Sequence, residues 1–164
     1  MNSMGVVFYE KKKYNTALVY FSAALPLLEK HYPANNRQTA HTLNNIGLVY
    51  IEKKDYDLAL EYLVKAYHMR EVLHAHHPDT AASLNNTGMV HHHQHRYSAV
   101  IDYYTRAMNL YVKTLPTRHP DVVQTEDNIK LAESQWRNEE GVMVQILDVV
   151  DVMVVNGNLD FLDF

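Results

Sequence analysis

Leu43-Asn44-Asn45-Ile46-Gly47-Leu48-Val49-Tyr50 is answered by Leu84-Asn85-Asn86-Thr87-Gly88-Met89-Val90-His91, 41 residues further along the chain. The recurrence widens from this pair. Gly5, Gly47 and Gly88 return at intervals of 42 and 41, and so do Tyr14, Tyr56, Tyr97 and Ala24, Ala66, Ala107. Glu126-Asp127-Asn128 continues the series in weaker form. A fixed period of this length marks a supersecondary unit stacked on copies of itself, because one unit alone cannot bury its apolar face.

Within the second copy, Leu43, Ile46, Gly47 and Tyr50 fall at i, i+3, i+4 and i+7, one stripe of an amphipathic helix A. After Lys53-Lys54-Asp55, the residues Tyr56, Ala59, Leu60, Leu63, Ala66, Tyr67 and Leu73 define a helix B that meets no proline until Pro78. Gly47 and Ala66 are small on faces of large residues, so the two antiparallel helices approach closely, at about 1 kcal/mol of helix propensity for the glycine. His77-Pro78-Asp79 and His119-Pro120-Asp121 put an acidic residue at the start of the next helix A, where the helix dipole favours it. Carried along the chain, the frame predicts helices over 1–11, 14–31, 37–53, 56–75, 79–94, 97–115 and 120–137. The expected architecture is therefore all-α, with three helix hairpins and a terminal capping helix. The repeats run over about 1–36, 37–78 and 79–119 in a domain of 1–137, followed by a divergent tail, 138–164. Met1 falls inside the repeat frame, so a domain-length piece of a longer chain is expected.

Composition narrows the function. A formal charge of −4, with 15 Lys and Arg against 19 Asp and Glu, leaves no basic footprint for a phosphate backbone, so no nucleic-acid partner is expected. The chain has no cysteine, which removes disulfides and thiolate metal sites. No stretch approaches the roughly 20 apolar residues of a membrane span, and the first residues lack the pattern of a secretory signal. A cytoplasmic protein without a membrane partner is expected.

The order Gly47, Tyr50, Tyr56, Ala59, Leu63 and Ala66, aligned in three copies, resembles the tetratricopeptide repeat. HEAT or armadillo repeats share the period without asking for that order. The usual period of the family is about 34 residues. The longer period here, with His-Pro-Asp-Thr-Ala-Ala-Ser-Leu-Asn-Asn at 77–86, is similar to the repeats of kinesin light chains. The resemblance implies a right-handed α-solenoid whose helices A line a concave groove for an extended peptide. It places His41, Asn45, Leu48 and Glu52 of the second copy in that groove, with Ala82, Asn86, Met89 and His93 of the third, Gln124, Asn128, Leu131 and Gln135 of the fourth, and Ser3, Val6 and Glu10 of the first. Asn44 and Asn85 belong either to the groove or to local or solvent hydrogen bonding. Primary amides offer donors and an acceptor, so an asparagine column can pair with successive peptide groups whatever the peptide's sequence. The stripe contains no Lys or Arg, which argues against capture of a carboxylate or phosphate.

Eleven histidines raise the question of a metal. His91 and His95 are an i, i+4 pair, but His91 stands where Phe8 and Tyr50 stand and reads as a core or half-core ring. His74, His76 and His77 close helix B of the second copy, a helix length away. No metal or other cofactor is expected. The sequence has no Gly-x-Ser-x-Gly, no phosphate-cradling loop and no His-Glu-x-x-His, so no catalytic residue and no enzyme activity are expected. The valine-rich 142–155 reads as an amphipathic helix docked on the last repeat or, alternatively, as a strand. Asn158–Phe164 reads as a disordered end or a linear motif. The functional expectation is a scaffold that binds a protein or peptide ligand. The alternative is a structural or regulatory segment of a larger protein, self-associating or autoinhibited through its tail.

Overall fold

Tyr14, Tyr56 and Tyr97 each open a helix, and the turn before each is built the same way. The computed structural model describes residues 1–32 and 35–155, with side chains through residue 143. Its helices are α1 (Asn2–Glu10), α2 (Tyr14–His31), α3 (Arg37–Glu52), α4 (Tyr56–His74), α5 (Pro78–His93), α6 (Tyr97–Thr114) and α7 (Pro120–Val155). The molecule is an all-α solenoid: α1/α2, α3/α4 and α5/α6 are hairpins, each B helix packs on the next A helix, and α7 packs on α6.

In each hairpin turn one residue is left-handed: Lys12 at φ 56, Lys54 at φ 60 and His95 at φ 56. The next N–H reaches back to close the A helix, from Lys13 to the Phe8 carbonyl at 2.8 Å, Asp55 to Tyr50 at 3.0 Å and Arg96 to His91 at 3.0 Å. This is the Schellman ending, in which glycine is the usual left-handed residue because a side chain there costs about 1–2 kcal/mol. The A helices α3, α5 and α7 are capped by side chains at their starts: Asn36 Oδ1 accepts from the Thr39 N–H at 2.9 Å, and the Nδ1 atoms of His77 and His119 accept from the N–H groups of Asp79 and Asp121 at 3.1 and 3.2 Å. His77 and His119 thus act as acceptors beside the acidic residues that the sequence singles out.

The glycines are packing positions. A Cβ built on Gly5 would stand 2.4 Å from the Phe21 ring, on Gly47 2.6 Å from Leu63, and on Gly88 2.6 Å from the Tyr104 ring. Each hairpin also carries one stacked ring pair: Phe8 on Tyr20 at 5.2 Å, Tyr50 on Tyr62 at 5.6 Å, His91 on Tyr103 at 5.1 Å. Apolar clusters then cross from repeat to repeat. Ala17 and Phe21 meet Ile46 and Val49, while Ile51, Ala59 and Leu63 meet Val90. Tyr97, Val100 and Tyr104 meet Ala132 of α7.

The helix bounds differ from the sequence expectation by a residue or two, except at the last. The helix expected to end at 137 continues without a break to Val155, 36 residues in all. Residues 142–155 are therefore helical, as the extension of α7 and not as a separate docked element; Val142 and Met143 are 54% and 58% exposed. The expectation for Asn158–Phe164 lies outside the described residues. Among those described, no helix is long and apolar enough to cross a membrane.

Candidate peptide-binding groove

Between α1 and α3 the solenoid opens into two adjoining cavities that share Val6 and His41. The deeper one, about 240 Å³, has Val6, Tyr9, Phe21 and Leu48 as apolar walls and Glu10, His41 and Asn45 at its edges. The wider one, about 580 Å³, lies toward the helix starts and is lined by Asn2, Ser3, Arg37, Gln38 and Asp79 as well. Amphipathic spacing produces this division: Ile46 packs on α2 and Gly47 on α4, leaving His41, Asn45 and Leu48 on the other flank of α3. The Asn45 amide nitrogen Nδ2 is buried without a hydrogen-bond partner. The His41 imidazole is held below its ordinary value of 6.5 by desolvation, reinforced by the Arg70 and Arg37 guanidinium groups against the pull of Asp79. It is therefore a neutral side chain at physiological pH.

The groove column is only partly assembled as the repeat frame suggests. His41, Asn45 and Leu48 come together with Ser3, Val6 and Glu10 around the two cavities. Asn44 does not line the groove. It is 6% exposed, and its Oδ1 accepts from Asn86 Nδ2 at 3.1 Å and from Arg70 Nη1 at 3.5 Å. One residue of rotation on a helix is enough to turn its amide into the contact between repeats. Asn85 is half-buried and accepts from the Thr125 hydroxyl of α7 at 3.4 Å. Glu52 points to the hairpin-turn edge, accepting from the Tyr14 hydroxyl at 2.8 Å, and His93, its counterpart, stacks on Tyr56 at 5.5 Å. Ala82, Asn86 and Met89 are half-buried on α5. On α7, Gln124 donates to Asn128 Oδ1 at 3.0 Å and Leu131 is exposed.

Arg37, Asp79 and Arg70 are additions that sequence reasoning missed. Arg37 lies one helical turn before His41 on the same stripe, so carrying the stripe back by four residues would have found it. The expectation of a groove without cations is corrected accordingly: Arg37 lines the wider cavity, paired with Asp79 at 3.2 Å. Arg70 has no such signal. It is 7% exposed and reaches from α4 to the Asp79 carbonyl at 2.8 Å and the Ser83 hydroxyl at 2.7 Å of α5. The histidines of α5 are each engaged: His91 stacks on Tyr103, and His92 pairs with Gln135 at 2.6 Å. Among the described residues no group of three His, Cys, Asp or Glu side chains could hold a metal ion.

Stacked helix hairpins keyed by glycine and tyrosine at fixed repeat positions define a tetratricopeptide-type solenoid. The model of the tetratricopeptide repeat matches residues 1–71 and 38–112, and the chain belongs to that family. Its long repeats are similar to those of kinesin light chains. A Podosopora anserina protein assigned as a kinesin light chain, built of nearly identical TPR-like repeats, superposes with a TM-score of 0.74 at 12% identity, covering 93% of this chain and 73% of its own. BtubC from P. vanneervenii gives 0.77 at 12% identity, covering 99% of this chain and 65% of its own. The TPR2AB-domain:pHSP90 complex of yeast Sti1 gives 0.66 at 20% identity over 85% of this chain and 47% of the other. These identities establish a shared fold. No curated protein matches the chain significantly.

Proposed function

We propose that this chain is a protein-interaction scaffold that takes an extended peptide or helix of a partner protein along the groove lined by its A helices. Recognition, not catalysis, is the activity. The observation that carries the reading is the apolar cavity between α1 and α3 with the Asn45 side chain in its lining. A peptide laid along α3 places a side chain between Val6, Tyr9 and Leu48, with the Asn45 amide as its polar contact. The Sti1 complex, a tetratricopeptide domain solved with pHSP90, supports a protein or peptide as the ligand. The test uses peptides selected on the chain from a random library. Asn45→Ala is expected to weaken their binding by roughly fivefold to tenfold, the worth of one hydrogen bond, while leaving the melting temperature nearly unchanged. An unaltered Kd for every selected peptide rejects the groove.

A second reading, a structural or regulatory segment that self-associates or covers its own groove through the tail, is favoured by α7. That helix exposes Trp136, Val142 and Met143, and its sequence becomes more apolar beyond them. A cytoplasmic location accords with either reading.

A further inference from the structure

The left-handed residue of each hairpin turn is a cation or a titratable base in all three repeats: Lys12, Lys54 and His95. Glycine would sit there without strain, so the backbone holds a basic side chain at a cost, three times over. Lys11, Lys13, Lys53 and Arg96 stand beside them, all exposed. Six of the 15 Lys and Arg residues thus lie on one edge of a chain whose net charge is −4. Glu10, Glu52 and Asp55 are interspersed with them, so the excess of positive charge is greatest at the first turn.

The edge already receives carboxylates from its own chain. At the first turn Glu52 of the next repeat accepts from the Tyr14 hydroxyl at 2.8 Å, beside Lys12, Lys13 and Lys53, which line an open cavity of about 570 Å³ with it. At the third turn Glu139 of α7 approaches His95 at 3.8 Å. His95 Nδ1 in turn meets the hydroxyl of Tyr97, the counterpart of Tyr14, at 2.9 Å. Each of these two turns pairs a base with a tyrosine hydroxyl, a combination that offers a carboxylate both charge and a directed hydrogen bond.

We infer that the hairpin-turn edge is a second interaction surface, separate from the groove, that binds an extended acidic peptide, one carboxylate per turn. Successive turns supply the rungs, and the first, where Lys11, Lys12 and Lys13 stand together, carries most of the attraction.

The probe is a fluorescein-labelled peptide of alternating glutamate and serine, followed by anisotropy at low and physiological salt. Wild type is expected to bind it, more weakly as salt rises. The double substitution Lys12→Gly, Lys54→Gly is expected to weaken binding by roughly tenfold while raising Tm by about 2–4 °C per site, because strain is released as charge is lost. Lys12→Arg with Lys54→Arg is expected to keep the affinity, and Asn45→Ala to leave it unchanged. No binding by wild type, a double-glycine Kd within about twofold of wild type, or tighter binding of oligothymidylate or phosphatidylserine vesicles than of the peptide would each overturn the assignment.

Discussion

His91 takes the place of Phe8 and Tyr50 in the third stacked pair, lying on Tyr103 at 5.1 Å with its Nδ1 buried and unpartnered. Desolvation, aided by Arg96, holds its imidazole below the ordinary value of 6.5. An unfolded chain therefore takes up a proton at this residue before the folded one does. Stability is full above about pH 6.5 and declines as the pH falls from there toward the lower folded value. Thermal melts across that range are expected to show His91→Tyr losing less stability on acidification than wild type; parallel curves would show that His91 is not the titrating group. The half-core character of this ring was legible in the sequence because the repeat aligns it with two aromatics. The fate of Asn44 was not. It and Asn45 share a residue type and adjoin in sequence, and what separates them is the Arg70 guanidinium brought from another helix.

At the scale of elements, helix starts were legible because tyrosine, proline and capping residues recur at the same repeat positions, and six helices end within two residues of expectation. The exception, α7, illustrates a limit of propensity. Its β-branched second half disfavours helix locally, yet it follows an established helix, and extending one costs far less than nucleating another. Exposed side chains from Arg137 to Met143 leave this part of the helix free of the repeats, apart from the approach of Glu139 to His95 and Tyr97. Removal of residues 141–164 is therefore expected to leave the fold intact and to abolish self-association in sedimentation, or to tighten binding of the selected peptides. A shortened chain unchanged in both would retire the regulatory reading.

Across the whole molecule, coupling between repeats two and three passes through Arg70, buried and joined to Asn44, the Asp79 carbonyl and Ser83. All its hydrogen-bond partners are neutral oxygens, and burial lowers its pKa. Arg70→Ala strands two acceptors and opens space between the repeats. It is expected to cost about 2–3 kcal/mol in urea unfolding and to lower the slope of the transition, as repeats that share an interface lose cooperativity. A midpoint and slope equal to wild type would show that the network contributes nothing. The glycine contacts act at the same scale in another way. The space beside Gly5 is taken by Phe21, beside Gly47 by Leu63, and beside Gly88 by Tyr104, so each hairpin has a key of its own size and shape. Tandem repeats of one design invite an A helix to pair with the wrong B helix during folding, the characteristic misassembly of tandem arrays. Three differently cut keys make such exchanges leave a void or a clash, so the variation among repeats proofreads the order in which the solenoid is wound.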